Sequence, residues 1–313
     1  MAVIRILHLS DLHLAGRNRP RYEVVARLKL PLSVYQPDVL LAVSEIITNW
    51  RNEIDGILIT GDIATTGSLD DLIFARDILS RYIHSCLIDN KKLKHPLEDF
   101  NKPVIIVPGN HDRFTNLAAF PGNNFYQIFS SSWYAGIGGV QIFSLPNSES
   151  PLLSIISTDF SLEHVRDSSC WFGHFGQGKV YHDRLKSLIL RTEEINKNHP
   201  YCSIIWMIHF APQFERHYQL DPRMVLVDSN DLIESAEKVG VKYIFCGHTH
   251  QYADYTAGDG VQIHCAGTST CIGDDQNTTI HLRLIELSGQ NDVCIRSLTY
   301  FYDPERQVFS DSL

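Results

Sequence analysis

Five short polar clusters in this chain each come directly after a run of apolar residues that is typical of a buried β-strand. The apolar runs are Val3–Leu9, Gly56–Thr60, Val104–Val107, Ser203–Ile208 and Val241–Cys246. The clusters that follow them are Asp11-Leu12-His13, Gly61-Asp62, Gly109-Asn110-His111-Asp112, His209 and Gly247-His248-Thr249-His250. Because the loops at the carboxyl ends of strands converge at one edge of an α/β sheet, this order predicts a shared site of Asp, Asn and His side chains.

The positions of the clusters indicate how the 313 residues are organised. A site that uses both the first and the last cluster requires one compact catalytic domain, which we place over residues 1–313. Hydrophobic residues make up 44% and charged residues 20% of the chain, as in an ordinary soluble globular protein. The net charge of −9 gives no general attraction to nucleic acid or to an anionic membrane.

Cysteine usage and the apolar runs predict a compartment. The seven cysteines are scattered without a CxxC pair, which is typical of buried free thiols in a reducing environment. No apolar run approaches the roughly 20 residues that cross a bilayer. The chain reaches a candidate ligand at Asp11 without room for a signal peptide. We therefore predict a cytoplasmic protein with no membrane partner.

Apolar periodicity predicts the layers of the fold. Helical spacing indicates helices over Pro37–Arg51, Ser68–Ile88, Val180–Asn196 and Ser229–Val239. After the last cluster, the strand-like runs have no helices between them: Val261–Cys265, Thr279–Leu287 and Val293–Phe301. This order predicts an α/β, four-layer sandwich of two mixed β-sheets flanked by helices, in which residues 261–313 are mostly antiparallel strands that complete the sandwich.

The segment Arg17–Gln36 carries five basic residues directly after the first cluster. One interpretation is a solvated loop and helix face. The other is a basic lip over the site, in which Arg19 and Arg21 help to hold an anionic substrate.

Two clusters have the spacing of metal ligands. In an extended segment, residues i and i+2 point to the same face, so Asp11 and His13 are expected to reach one ion while Leu12 turns into the core. His248 and His250 repeat that spacing. Either pattern alone arises by chance in many proteins, whereas five such clusters in order at strand ends do not.

The cluster Gly109-Asn110-His111-Asp112 is the most specific of the five. Asn110 supplies a neutral oxygen ligand, and His111 places a titratable group beside the same ion. Asp112 either holds the ring of His111 through a hydrogen bond or caps a following turn. Cys246, two residues before His248, is expected to be a buried strand residue rather than a ligand.

These clusters resemble those of the calcineurin-like metallophosphoesterase superfamily, from about Ile4 to about Gly267. The resemblance implies a dinuclear metal centre in which Asp62 bridges two ions. It assigns to the first metal Asp11, His13 and His250. It assigns to the second metal Asn110, His209 and His248. Nitrogen and oxygen ligands without a thiolate suit two divalent transition-metal ions, either Mn²⁺, Fe, Zn²⁺ or Co²⁺.

The implied chemistry is phosphoester hydrolysis. Two divalent ions outweigh the charges of Asp11, Asp62 and a bridging hydroxide, so the site favours a phosphate oxygen and activates water for attack. The predicted mechanism is direct hydrolysis by metal-bound hydroxide. His111 acts as the general acid, which contributes on the order of 10² to 10⁴ in rate. His174 and His217 are further candidates to approach the substrate.

Within the superfamily, the chain is most similar to the bacterial class III cyclic nucleotide phosphodiesterases through Arg5–His13, Asp228–Leu232 and Val241–Gln251. His209-Phe210-Ala211-Pro212 departs from that pattern, because those enzymes usually carry a second histidine there. We predict a phosphodiesterase whose partner is a small anionic phosphoester of the nucleotide type. The alternatives are a DNA-repair-type nuclease, a phosphomonoesterase and a non-catalytic scaffold. Only about 60 residues follow His250, and the acidic charge does not favour a nucleic-acid partner.

Overall fold

The computed structural model describes residues 3–27, 33–79, 86–88, 91–93, 102–114, 122–129, 140–145, 151–168, 176–214, 224–271, 280–288 and 294–311. The helices are α1 (Arg19–Arg27), α2 (Pro37–Trp50), α3 (Leu69–Leu79), α4 (Asn110–Arg113), α5 (Asn124–Ile128), α6 (His182–Asn198) and α7 (Ser229–Lys238). The first strands are β1 (Val3–Leu9), β2 (Gly56–Ile59), β3 (Cys86–Ile88), β4 (Lys91–Leu93), β5 (Val104–Ile106), β6 (Gln141–Leu145), β7 (Leu153–Ser157) and β8 (Gly178–Lys179). The later strands are β9 (Ser203–Met207), β10 (Leu226–Val227), β11 (Tyr243–Cys246), β12 (Ala253–Ala257), β13 (Val261–Cys265), β14 (His281–Ser288), β15 (Cys294–Asp303) and β16 (Val308–Ser310).

Two six-stranded sheets form the centre of the molecule. Sheet I has the strand order β16-β15-β14-β1-β2-β5, and sheet II has the order β12-β13-β11-β9-β7-β6. The strands β1, β2 and β5 run parallel in sheet I, whereas β14, β15 and β16 are antiparallel. In sheet II, β13, β11, β9 and β7 run parallel, and the edge strands β12 and β6 are antiparallel. The predicted pair of mixed sheets with late antiparallel strands is confirmed.

Alternation along β9 shows how the layers pack. Ile205 and Met207 are buried in the core that also contains the strands of sheet I. Ile204 and Trp206 point the other way, into a second core with α6 and α7. The indole N–H of Trp206 donates to Oγ1 of Thr192 on α6 at 2.9 Å. The two cores together cover both faces of sheet II. Burying side chains of this size stabilises the fold by roughly 1.5–3 kcal/mol each.

Helices α2 and α3 cover sheet I. Pro37 begins α2, and Leu40, Val43 and Ile47 on its apolar face join the core of sheet I, as the sequence predicts. Because Pro lacks a backbone N–H, it fits the first helical position, where no intrahelical partner exists. Among the described residues, no helix is long and apolar enough to cross a membrane.

The helix predicted over Ser68–Ile88 is wrong at its end, Cys86–Ile88. Ser68 does cap the helix, since its Oγ accepts a hydrogen bond from the backbone amide of Asp71 at 3.3 Å. The described part of α3 ends at Leu79, however, and Cys86–Ile88 forms β3, which pairs with β4. At Cys86–Ile88, antiparallel pairing with β4 overrides the helical periodicity on which the prediction is based.

Candidate metal centre

The polar clusters of the sequence meet at one place between the two sheets. The carboxylate and ring atoms of one set of side chains lie within 4.8 Å of one another, and this first group consists of Asp11, His13, Asp62 and His250. A second group meets the same criterion and consists of Asp62, His209 and His248. Asp62 belongs to both groups. The structure therefore brings these six residues together, as the sequence predicts.

The distances within the first group are those of ligands around a single ion. Nε2 of His13 lies 3.0 Å from Nε2 of His250. Oδ1 of Asp11 lies 3.3 Å from Nε2 of His250 and 3.9 Å from Nε2 of His13. Ligands that each lie about 2.1 Å from one ion are separated by roughly 3 to 4 Å, so the first group fits a metal.

Asn110 joins the second group. Nε2 of His209 lies 3.1 Å from Oδ1 of Asn110, 3.2 Å from Nδ1 of His248 and 3.4 Å from Oδ2 of Asp62. The second group therefore contains two imidazole nitrogens, one amide oxygen and one carboxylate oxygen. This donor set contains no thiolate and suits a transition metal.

Backbone carbonyls orient both rings of the second group. Nδ1 of His209 donates to the carbonyl of Thr60 at 2.6 Å, and Nε2 of His248 donates to the carbonyl of Met224 at 3.2 Å. In the neutral form of each ring, this hydrogen bond leaves the opposite nitrogen without a proton and turned toward the group. Partners of this kind fix the tautomer and the orientation of histidines that ligate metals.

The donor atoms are buried, and one of them has no hydrogen bond. Asp11, His13 and His209 are 0% exposed, and Asp62 is 1% exposed. Within the described part of the chain, Oδ1 of Asp11 accepts no hydrogen bond. A buried carboxylate oxygen without a partner costs free energy unless a cation compensates it, so the side chains fit a bound metal better than an ordinary core.

Two glycines make room for this packing. A Cβ atom on Gly109 would lie 2.1 Å from Oδ1 of Asp62, and one on Gly247 would lie 2.8 Å from Oδ2 of Asp11. Both distances are shorter than any normal contact. A side chain at Gly109 would therefore displace the carboxylate of Asp62, and one at Gly247 would displace both the carboxylate of Asp11 and the hydroxyl of Ser10, 1.8 Å away.

The predicted extended geometry of the Asp-x-His and His-x-His segments is wrong. Asp11, His13, His248 and His250 have φ values of 52°, 44°, 74° and 55°, in the left-handed region. The strands end at Leu9 and Cys246, so these residues lie beyond the hydrogen-bonded ladders and curl toward the site.

The interior placement of Leu12 is confirmed, since it is 2% exposed. Five of the eight described non-glycine residues with positive φ are predicted ligands: Asp11, His13, Asp62, His248 and His250. Strain of this kind concentrates at functional sites.

Burial and mutual charge set the protonation of the site. Burial, reinforced by the neighbouring His111 and His250, holds the pKa of His13 well below its usual range. Burial and the charge of His209 lower the pKa of His248 to about 3. Burial alone would lower the pKa of His209, but the charge and hydrogen bond of Asp62 outweigh it and raise the pKa to about 9.

His111 lies beside the first group, and its ring is oriented by a backbone carbonyl. The ring packs edge to face against that of His13, with centroids 4.7 Å apart. Its Nδ1 donates to the carbonyl of Thr65 at 2.9 Å, and its backbone amide donates to Oδ1 of Asp62 at 2.8 Å. Nε2 is therefore the ring nitrogen through which His111 would exchange a proton with a substrate.

The carboxylate of Asp112 binds backbone amides that come earlier in the chain, whereas the second predicted role is to cap a following turn. It accepts hydrogen bonds from the amides of Gly109 at 2.9 Å, Ala64 at 2.8 Å and Ile63 at 3.2 Å. Burial and the charge of Asp62 raise the pKa of Asp112 to about 7, against the lowering effect of these amides. Asp112 thus ties the turn after β2 to the start of α4.

A buried ion pair anchors α4 from its other end. The guanidinium of Arg113, the last residue of α4, contacts Oδ2 of Asp159, which also accepts a hydrogen bond from the hydroxyl of Tyr126. Arg113 is 3% exposed and Asp159 is 0% exposed. Asp159 follows β7 of sheet II, so the pair links the helix that carries Asn110 and His111 to the opposite sheet.

One residue of the site was missed by the sequence analysis. Sγ of Cys271 lies within 4.8 Å of ring nitrogens of both His13 and His250. No spacing signal marks Cys271, since it lies 21 residues after His250 and outside the five clusters. Cys246 ends β11 and is buried, as predicted. His174 and His217 lie outside the described residues.

Helix α1 (Arg19–Arg27) lies within the basic segment Arg17–Gln36. The guanidinium of Arg19 lies 2.7 Å from a carboxylate oxygen of Glu23 and 5.0 Å from the ring centroid of Tyr35. Arg21 is exposed. The basic lip stays a prediction.

Comparison with known proteins agrees with this geometry. The profile of the calcineurin-like phosphoesterases matches residues 4–252. Comparison with curated protein sequences gave no match.

Solved structures share the fold at low sequence identity. A dimetal phosphatase from Danio rerio is 14% identical, with a TM-score of 0.57 over 95% of this chain and 98% of its own. A purple acid phosphatase from yellow lupin (Lupinus luteus) seeds is 12% identical, with a TM-score of 0.58 over 99% and 53% of the two chains. GAP50, the anchor in the inner membrane complex of Plasmodium, is 13% identical, with a TM-score of 0.53 over 97% and 85%. With a family profile that covers most of its length, the chain belongs to the calcineurin-like phosphoesterases, a family of metal-dependent phosphoester hydrolases.

Proposed function

We propose that this protein is a two-metal phosphodiesterase that acts on a nucleotide-type substrate. The observation that carries the proposal is the position of Asp62, whose carboxylate belongs to both groups of candidate ligands. A shared carboxylate between two ligand groups is what a dinuclear centre requires, whereas two independent metal sites would not need one.

In this proposal each group would hold one ion. Asp11, His13 and His250 would hold the first. Asn110, His209 and His248 would hold the second, and Asp62 belongs to both groups of side chains. When bound, such a pair of ions activates water for in-line attack on phosphorus and stabilises charge on the attacking and leaving oxygens. Mn²⁺, Fe, Zn²⁺ and Co²⁺ all accept these imidazole and carboxylate donors.

His111 is the proposed general acid. Its Nδ1 is engaged with the carbonyl of Thr65 at 2.9 Å, so the proton given to a leaving oxygen comes from Nε2. Asp112 and Arg113 hold the two ends of the helix that carries His111 and thereby position its ring. The role of these two residues is to orient the acid rather than to touch the substrate.

The substrate class rests on the resemblance to the cyclic nucleotide phosphodiesterases. The segments that carry it, Arg5–His13 and Val241–Gln251, supply β1 and β11 together with the ligands that follow these strands. The two phosphatases among the similar structures support a phosphomonoesterase as the alternative. GAP50, described as an anchor, supports a scaffold as the non-enzymatic alternative.

The experiment compares a diester with a monoester. Purified protein is incubated with Mn²⁺ and either bis-p-nitrophenyl phosphate or p-nitrophenyl phosphate, with Asp62→Asn as the matched control because the two side chains have nearly the same shape. The proposal expects the diester to be hydrolysed faster, and it expects Asp62→Asn to abolish that activity. Preference for the monoester would identify a phosphatase. With diester activity established, hydrolysis of cAMP or cGMP would identify the substrate group, and intact cyclic nucleotides would exclude it.

A further inference from the structure

Cys271 lies next to the first group of ligands without belonging to any polar cluster of the sequence. Its side chain is 0% exposed, and its Sγ lies within 4.8 Å of ring nitrogens of His13 and His250. Those two rings approach one another to 3.0 Å between their Nε2 atoms. Three potential metal donors, two nitrogens and one sulfur, therefore converge at this position.

The backbone holds Cys271 in this position. The hydroxyls of Thr268 and Thr270 donate to the carbonyls of Asp11 and Leu12, and the first of these hydrogen bonds measures 3.0 Å. The amide of Cys271 donates to Oγ1 of Thr268 at 2.9 Å. The loop that ends at Cys271 is thus bonded along the first ligand cluster, so the backbone of Cys271 is held beside that cluster.

A second contact fixes the other side of the same loop. Tyr35 and Cys271 form an isolated antiparallel bridge, and the amide of Tyr35 donates to the carbonyl of His13 at 3.1 Å. Thr270, which precedes Cys271, and Tyr35, which lies across the bridge from it, are therefore both hydrogen-bonded to the segment that carries His13. These contacts hold the backbone of Cys271 beside the segment that carries His13, and Sγ lies within 4.8 Å of a ring nitrogen of His13.

An independent observation indicates that a cation belongs here. Oδ1 of Asp11, 3.3 Å from Nε2 of His250, is buried and accepts no hydrogen bond from the described residues. A divalent ion beside this oxygen would compensate its charge. The same ion would then lie among His13, His250 and Cys271.

We propose that Sγ of Cys271 is an additional ligand of the first metal. This inference rests on the proposed dinuclear centre. Binding forms one metal–sulfur bond and releases the thiol proton to solvent. A thiolate is a soft ligand, whereas the other donors of this group are imidazoles and carboxylates. The sulfur would therefore shift the selectivity of the first position toward Zn²⁺, Co²⁺ or Fe and away from Mn²⁺.

The test is the electronic absorption spectrum of the protein loaded with Co²⁺. Visible d–d bands report that cobalt is bound, whatever its ligands, and a near-ultraviolet sulfur-to-cobalt charge-transfer band reports a thiolate ligand. Full-length protein is compared with Cys271→Ser. The matched controls are Cys246→Ser and Cys202→Ser, which remove buried free thiols outside the ligand groups.

The proposal expects the charge-transfer band in the wild type and in both controls, and its loss in Cys271→Ser with the d–d bands retained. A wild type that binds cobalt without this band overturns the role of Cys271 and leaves the dinuclear centre intact. A band that survives in Cys271→Ser also overturns it, because another cysteine then supplies the sulfur. Absence of any cobalt binding overturns the proposed metal centre itself.

A second measurement covers the case in which Cys271→Ser does not fold. X-ray absorption at the zinc edge of the wild-type protein should show a sulfur neighbour at about 2.3 Å, the usual Zn–S distance. For a folded variant, affinity for Zn²⁺ should fall by about tenfold or more while affinity for Mn²⁺ changes less. Only nitrogen and oxygen neighbours around zinc would overturn the proposal.

Discussion

Oδ2 of Asp62 lies 3.4 Å from Nε2 of His209, although the two residues follow strands of different sheets. Asp62 follows β2 of sheet I, and His209 follows β9 of sheet II. The contact exists only because the sheets pack face to face. A change that shifts one sheet against the other should therefore affect catalysis before it affects the secondary structure.

Replacing His111 should affect substrates according to their leaving groups. His111→Ala is expected to slow hydrolysis of an alkyl phosphodiester by about 10² to 10⁴, because the departing alkoxide then leaves without a proton. A p-nitrophenyl ester, whose leaving group needs little protonation, should lose much less. The check is kcat for both substrates with the variant and the wild type. Equal losses on both substrates would rule out the acid role.

Gly109→Ala should remove metal binding. The added Cβ would lie 2.1 Å from Oδ1 and 2.6 Å from the backbone nitrogen of Asp62, so the bridging carboxylate must move. Gly122→Ala is the matched control, since among the described residues a Cβ there meets the carbonyl of Arg113 at 3.5 Å, an ordinary contact. Metal content per chain, measured after dialysis, should fall in Gly109→Ala alone. Equal metal content in both variants would contradict this account of the site.

Asp159→Asn should destabilise the fold. It leaves the guanidinium of Arg113 buried without its carboxylate, which typically costs about 3 to 5 kcal/mol. Glu194→Gln removes the ion pair between Glu194 and Arg191, whose side chains are each 53% exposed. This change should lower the free energy of unfolding by about 1 kcal/mol or less. Thermal unfolding of the two variants gives the comparison. Similar Tm values for both would show that the buried pair contributes little.

The same substitution has a pH signature. Burial alone would raise the pKa of Asp159, but the charges of Arg113 and Arg184 outweigh it and lower the pKa. A lowered folded-state pKa stabilises the protein above the unfolded value, about 3.9, and that contribution is lost as the pH falls through the folded-state pKa. The Tm difference between wild type and Asp159→Asn should be largest near neutral pH and should shrink at strongly acidic pH. A difference that stays constant down to acid pH would contradict this sign.

Arg21→Glu tests the basic lip. If the segment around α1 holds an anionic substrate, reversing this exposed charge should raise KM several-fold and leave kcat nearly unchanged. Arg191→Glu makes the same change of charge on the exposed side of α6 and should leave KM as it is. Repeating both assays at high salt should remove most of the difference. An unchanged KM in Arg21→Glu would favour the other interpretation, in which this segment is a solvated loop and helix face.

The strand ends and their ligands could be predicted because each signal is local. The bounds of β1 and α2 agree closely with their apolar patterns. Asp62 lies just after the buried strand β2, which is the position that marks it as a candidate ligand. The helix predicted to reach Ile88 fails for a local reason as well. Its apolar residues keep helical spacing, yet pairing of Cys86–Ile88 with another short strand stabilises a different structure there.

The rest of the site depends on contacts between distant residues. The left-handed backbone conformation of His13 and His250 cannot be predicted from a pattern of polar and apolar residues. The loop of Cys271 is held at the site by hydrogen bonds with Asp11 and Leu12, some 260 positions earlier in the chain. Such a contact has no signature in the spacing of one sequence.

The most direct test of the dinuclear centre is a metal titration of chelator-stripped protein that follows hydrolysis of bis-p-nitrophenyl phosphate. The account predicts no activity without metal, activity that rises to a plateau at two ions per chain, and none at any metal concentration for Asp62→Asn. Activity that is complete with one ion, or that Asp62→Asn retains, would contradict a bridged pair of metals as the source of the chemistry.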